Sequence, residues 1–224
     1  MRRTAVAERG RVDRQGKRDP EASRRALLLA AVAEFAEKGL AGARVDEIAR
    51  RAGVNKQLVY HYFGNKDDLF RAALEHVYAE IRTRERALAL SDLPPVAAME
   101  RLVGFSFDYL AEHPEFIALL NDENRYGAAH VGASPDMPAL HSPLITLIAE
   151  ALDRGAREGV FRADMDPVQL YISIAGMSYF FFSNNRMLSA IFATNLDSAK
   201  AVAMRRRHVI DFALAALRVD KSTN

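Results

Sequence analysis

Apolar residues recur along this chain with the spacing of helices, and no segment carries the alternation of a strand. In the stretch 44–69, RVDEIARRAGVNKQLVYHYFGNKDDL, Val45, Ile48, Ala49 and Ala52 fall at i, i+3, i+4 and i+7, the stripe of one short amphipathic helix. Gly53 stops that helix and supplies the backbone freedom of a tight turn. Asn55 is placed to cap a second helix, with Leu58 and Val59 pointing inward and Lys56, Gln57, Tyr60 and His61 left outside. Two short helices joined by a glycine-containing turn, the second presenting polar and aromatic groups, predict a helix-turn-helix that sets its second helix against DNA.

The remaining periodicity organises around that unit. Asp19-Pro20 reads as a cap and first position of a helix from Glu21 to Lys38, ended by Gly39, whose Leu27, Ala31 and Phe35 pack on the two short helices. Gly64-Asn65 breaks the second short helix, and Asn65 with Asp68 resembles a capping box. A long helix then runs from Lys66 to about Leu90, with Leu69, Phe70, Ala73, Val77, Tyr78 and Ile81 on one side. Helical patterns follow over Val96–Glu112, Pro114–Arg125, Pro143–Glu158, 167–184, 186–192 and 197–218, with a loop from Gly127 to Pro138. The fold class expected is all-α: a helix-turn-helix domain over 19–66 and a larger helical domain over 67–218. A basic arm without periodicity over 1–18 is expected to be disordered, and 219–224 form a tail.

Charge strengthens this division. Residues 1–66 hold 15 Lys and Arg against 8 Asp and Glu, whereas the remainder holds 16 against 21. A basic end on a mildly acidic body suits a polyanion at that end only. Composition otherwise excludes more than it suggests. There is no cysteine, hence no disulfide framework, thiol catalysis or Cys-ligated zinc, which fits a reducing cytoplasm. The arginines near the N-terminus are followed by no apolar stretch of a signal peptide, and Leu170–Phe182 is too short to span a membrane. The six histidines show no metal-binding spacing, and His76 with Glu80 reads as a solvated pair. No P-loop, dinucleotide fingerprint or nucleophile elbow occurs, so neither a cofactor, a metal nor an enzymatic activity is expected.

Residues 27–69 resemble the DNA-binding domain of the tetracycline-repressor (TetR) family of bacterial regulators. The resemblance is carried by Leu27-Leu28-Leu29-Ala30-Ala31, Phe35, Gly39, Ile48-Ala49, Ala52-Gly53-Val54, Tyr60-His61-Tyr62-Phe63, Asn65-Lys66 and Leu69. Departures are Ala43 and Arg44, where the family often has Thr or Ser, and Leu58, where Thr is usual. By residue-by-residue match the resemblance implies a DNA-binding set of Arg44, Asn55, Lys56, Gln57, Tyr60, His61, Tyr62 and Lys66. Lys56 and Gln57 have the donors to read base edges, while Tyr60, His61, Tyr62, Lys66 and Arg44 suit sugar and phosphate contacts.

A domain of some 150 residues beyond the DNA-binding unit is expected to sense, to dimerise, or both. Dimers of such proteins meet two half-sites of a palindrome about 34–36 Å apart. The segments 167–184 and 197–218 are expected to form the homodimer contact as a four-helix bundle, because the first is apolar around most of its circumference. Residues interleaved with the apolar positions supply candidate effector contacts: Phe105, Tyr109, Asn121, Asn124, Arg125, His141, Tyr171, Met177 and Tyr179. An arginine beside a cavity, here Arg125, would favour a carboxylate. EHPEFIALLNDENR and DPVQLYISIAGMSYFFFSNN are similar to a subgroup of the same family that includes the nicotinate-degradation repressor, which implies a small aromatic acid as effector. The expected function is thus a cytoplasmic, dimeric repressor released from a palindromic operator by a small molecule. Two alternatives stand beside it: a DNA-binding dimer without an effector, and an all-helical enzyme with a basic attachment.

Overall fold

The computed structural model describes residues 19–219, without the side chains of His141 and Ser142. The expected arm 1–18 and residues 220–224 of the tail lie outside the described residues. Among the described residues ten α-helices follow one another: α1 (Pro20–Gly42), α2 (Val45–Ala52), α3 (Lys56–Phe63), α4 (Lys66–Arg86), α5 (Pro95–Glu112), α6 (Pro114–Arg125), α7 (Ala129–Gly132), α8 (Met137–Arg157), α9 (Pro167–Ile191) and α10 (Ala199–Leu217). The all-α class expected from the periodicity is what folds. Among the described residues the one β-type contact is an isolated bridge between Phe161 and Arg218.

Local signals set most helix starts. Asp19 accepts from the Glu21 amide with Pro20 in the first turn, Asn55 from that of Gln57, Asn65 from that of Asp68, and Asp166 from that of Gln169. Gly53 closes α2 in the left-handed region at φ 64°, as the turn requires. Gly39 sits at φ 67° and kinks α1, so residues 40–42 form a separate turn. Three boundaries differ from the periodicity. α4 stops at Arg86, because Ala89 turns to φ 49° and sends Leu90 into the interior through a 3-10 turn, Leu90–Asp92. α8 begins at Met137: Pro138 fits its first turn, and Pro143 is accommodated inside. The segments 167–184 and 186–192 are one helix, since Asn184 bonds back to the Phe180 carbonyl and nothing breaks the chain between them.

Two cores hold these helices. The first gathers Leu27, Phe35, Ile48, Val59, Phe70 and Val77 of α1–α4, and extends into Tyr109, Phe116 and Leu119 of α5 and α6. Phe35 and Phe70 meet edge to face at 5.0 Å in its centre. The second gathers Leu102, Phe107, Ile148, Ile174, Phe181 and Val209 from α5, α8, α9 and α10. α4 belongs to both ends of the molecule. Its first turns are buried under α1 and α3, and its last turns face α5, α6 and α9.

Candidate DNA interface and effector cavity

α3 is fixed from beneath by Val59 and Phe63, which are buried, and by Leu58 and Tyr62, which are partly buried on the first core. Its other face carries Lys56, Gln57, Tyr60 and His61, all exposed, as the spacing predicts. Tyr62 is half turned inward, with its ring edge-on to His61 and Phe63 at 5.1 and 6.4 Å. Asn55 is exposed and spends its side-chain oxygen on the helix cap, leaving its amide NH2 as the group to offer outward.

The cations beside α3 are partnered rather than idle. Lys56 Nζ lies 2.8 Å from Asp46 Oδ1 and 6.0 Å above the Tyr60 ring, and the Asp46 carboxylate raises its pKa. Lys66, partly buried at the start of α4, donates to the Ala41 carbonyl at 3.4 Å. Arg44 is exposed at the start of α2 and gives that helix no side-chain cap. Its backbone amide instead donates to Glu34 Oε1 of α1 at 3.3 Å. Glu34, buried, also pairs with Arg51 at 3.0 Å, and Arg51 holds Glu37 and Glu47 as well. Four side chains thus lock α2 onto α1. Ala43 and Leu58 are core residues, so the hydroxyls usual at these places in the resembling family have no counterpart here.

A cavity of about 210 Å³ lies between α4, α5, α6 and α9. Its wall is mostly apolar, built on Ile81, Leu110, Phe116 and Leu120, with Tyr78, Tyr171 and Tyr179 around it. Of the nine candidate effector residues it brings together Asn124, Tyr171 and Tyr179. The Tyr179 hydroxyl donates to Asn121 Oδ1 and accepts from Asn124 Nδ2 at 3.4 Å, tying α9 to α6. Asn121 itself faces an open groove between α1, α6 and α9. Phe105 and Tyr109 line a cleft on the other side of α5, where Tyr109 is buried against His113 and under Arg84. Met177 packs on the second core. The side chain of His141 is outside the described residues. Arg125 points into solvent, three-quarters exposed and 3.5 Å from Asp122, so it is not the arginine of this cavity.

That arginine is Arg82, which the apolar spacing did not single out. Arg82 and Glu85 are each 3% exposed, both line the cavity, and Arg82 Nη1 stands 2.6 Å from Glu85 Oε2. Burial pushes the Glu85 carboxyl up to about 7, against the partial pull of Arg82 and Arg86. Desolvation likewise pushes the Tyr78 hydroxyl to about 12, so it remains a donor. The signal was present in the sequence: 74, 78, 81, 82 and 85 continue one helical face, and charges on an inward face mark a site.

A third feature lies on α9 and α10. Ile172, Phe180 and Ile191 of α9 and Met204 and Phe212 of α10 are each more than half exposed. Side chains of this size standing in a stripe on two helices form an apolar face larger than a lone residue would give. Among the described residues no group of His, Asp and Glu could hold a metal ion, and no helix is long and apolar enough to cross a membrane.

Comparison with known proteins places this architecture. A family model described as bacterial regulatory proteins, tetR family, matches residues 27–73, and one described as tetracyclin repressor-like, C-terminal domain, matches residues 95–213. The HTH-type transcriptional repressor NicS of Pseudomonas putida is 35% identical over 192 residues, spanning 86% of this chain and 91% of NicS. The HTH-type transcriptional repressor SCO4008 of Streptomyces coelicolor is 37% identical over 139 residues, 62% of this chain and 69% of that protein. Among solved structures, the transcriptional regulator SCO4942 of Streptomyces coelicolor aligns over 87% of this chain and 98% of its own, with a TM-score of 0.64 and 25% identity. The chain belongs to the tetracycline-repressor family and is a helix-turn-helix, DNA-binding transcriptional regulator.

Proposed function

We propose that this regulator is a repressor that binds a palindromic operator as a homodimer and leaves it when a small aromatic acid enters the cavity between α4, α5, α6 and α9. The observation that carries this is the double membership of α4. Lys66–Phe70 hold α3 from below, while Tyr78, Ile81, Arg82 and Glu85 of the same helix line the cavity. A ligand that spreads the cavity tilts α4 and with it the recognition helix. It need only favour the DNA-incompetent spacing, and a coupling of about 1–3 kcal/mol changes occupancy about 5- to 150-fold.

The dimer contact is assigned to α9 and α10, whose exposed apolar stripe a second copy would cover. Lys56 and Gln57 are assigned to base edges, and Arg44, Asn55, Tyr60, His61, Tyr62 and Lys66 to the backbone of the duplex. At 210 Å³ the cavity is smaller than the usual range of about 300–1,000 Å³, which suits a single ring with one polar group. The protein acts on DNA in the cytoplasm and performs no turnover of its ligand.

Selection from a random duplex pool at two salt concentrations tests the reading. Recovery of a palindrome, released from the protein by one member of a panel of small acids, is the expected result. Binding without sequence preference that vanishes at moderate salt would leave only a basic patch. A palindrome from which no small molecule releases the protein would favour the dimer without an effector.

A further inference from the structure

The Arg82–Glu85 pair is poorly built for a structural ion pair. Its single close contact, Nη1 to Glu85 Oε2 at 2.6 Å, does not meet hydrogen-bond geometry. Nη2 reaches the Tyr171 hydroxyl only at 3.4 Å, and the buried Nε has no partner. A buried guanidinium is costly unless its remaining donors are satisfied. Nε and Nη2 are the two parallel donors of one edge, the edge that matches the two oxygens of a carboxylate. That edge belongs to a side chain lining an otherwise mostly apolar cavity.

Given that this cavity is the effector site, we propose that the Nε–Nη2 edge of Arg82 receives the carboxylate of the effector, and that Glu85 is its resident counter-ion, which yields the charge to the ligand by taking up one proton from solvent. Two carboxylates on one desolvated guanidinium leave a surplus negative charge in a low dielectric. Glu85 is the group able to relieve it, because burial already holds its pKa near 7 and a second anion can only raise it further. Around Glu85 stand Arg82 and Arg86 on its own helix, Tyr171 of α9 and Tyr109 of α5, and the apolar Leu140, Pro143, Leu144 and Leu147 of α8. Asp136 caps the same end of α8 and His141 follows in its second turn, so a His141 variant serves as a control. Selectivity follows from the charge exchange. An acid replaces Glu85 at Arg82, whereas the matching amide brings no charge, leaves the pair intact and gains no salt bridge.

Calorimetry of the full-length protein at pH 8, in two buffers of different ionisation enthalpy, reads both affinity and protons. The probes are benzoate and the hydroxybenzoates against the corresponding amides. The wild-type protein should bind at least one acid more tightly than its amide by about 30-fold or more, with uptake of about one proton per site. Glu85→Gln should take up no proton and bind the acid about tenfold more tightly, since the protonation step at one pH unit above the pKa is removed. Arg82→Gln combined with Glu85→Gln keeps a neutral, foldable pair and should bind acid and amide alike. His141→Ala should retain the uptake. Proton uptake persisting in Glu85→Gln, acid preference persisting in the double variant, or no binding of any of these acids at millimolar concentration would overturn the proposal. The cavity assignment fails separately, if Ala175→Phe, which fills it, leaves binding untouched.

Discussion

Arg51 and Arg82 are both arginines beside carboxylates, and Glu47 in the first setting and Glu85 in the second are driven in opposite directions. Arg51, about a third exposed, touches Glu34, Glu37 and Glu47 at once. There Glu47, bonded by Arg50 and then by Arg51, is held down at about 2. Arg82 has one carboxylate, Glu85, and both are buried, so desolvation outweighs the attraction and Glu85 rises to about 7. Water shares the charge of Arg51, Glu37 and Glu47, with Glu34 alone of that group buried, so the network is mostly solvated scaffolding between α1 and α2. The charge of the second pair must be borne by the protein alone. A pair that stability does not explain, placed on a cavity wall, is better explained by what the cavity receives.

The sharpest break of this comparison is removal of one partner. Arg82→Ala leaves Glu85 buried without its counter-ion and should cost about 3–5 kcal/mol in urea unfolding at pH 8, whereas replacing both by Met and Leu should be neutral or stabilising. A loss below about 1 kcal/mol for Arg82→Ala would place the pair in the same class as the surface network.

The pH dependence of stability sharpens it next. Glu85 is raised above its ordinary 4.5, so its favourable contribution is complete below that value and is lost as pH rises through about 7. The size is about 3 kcal/mol, and Glu85→Gln should flatten the wild-type decline between pH 5 and 7.5. Glu47 is lowered, so its contribution is present above 4.5 and disappears as pH falls toward 2. Glu47→Gln should therefore remove that contribution above pH 4.5 and flatten the acid limb, leaving the slope between pH 5 and 7.5 unchanged. Equal behaviour of the two variants in chemical denaturation across pH 3–8 would erase the distinction.

The same contrast explains what could be read from the sequence. Asp19-Pro20, Asn55, Asn65 and Asp166-Pro167 act on amides two or three residues away, so their helix starts are written locally. The recognition helix was legible for that reason, down to which side chains face outward. The early end of α4 depends on Leu90 finding the second core, and no local residue announces it. The Arg44 amide needed a cap that came from Glu34 on another helix, and the Leu40 amide beyond the Gly39 kink found the buried Asp122 of α6. The cavity is the least legible part. Asn124, Tyr171 and Tyr179 stand among the candidates, whereas the apolar stripe of the long helix is followed only to Ile81 and Arg82 and Glu85 go unnamed. Their place on the face of Leu74, Tyr78 and Ile81 is written in the spacing, but only the opposing helices show that this face stays buried as far as Glu85.

At the DNA face, where side chains are exposed, effects should be set by the duplex rather than by packing. Gln57→Ala should relax preference at one base position by about 1–3 kcal/mol with little change elsewhere. Lys66→Ala should weaken every sequence alike and lower the salt slope by about one. Competition binding on single-base operator variants separates the two, and a uniform loss for Gln57→Ala would remove it from base reading.

The smallest effect tests whether surface pairing near α3 restrains recognition. Lys56 is held at 2.8 Å by Asp46 of α2, an exposed pair that water and salt already weaken. To reach a base or phosphate Lys56 must leave Asp46, and the departing carboxylate then faces the duplex as a like charge. Asp46→Asn removes both penalties, so affinity for operator should rise about two- to fivefold at low salt, in keeping with the small worth of exposed pairs. The gain should shrink as salt is raised, because screening weakens the pair and the repulsion together. If Asp46→Asn instead weakened binding, Asp46 would be orienting Lys56 toward its target, and the pair beside α3 would share with Arg82 and Glu85 a role in recognition rather than in scaffolding.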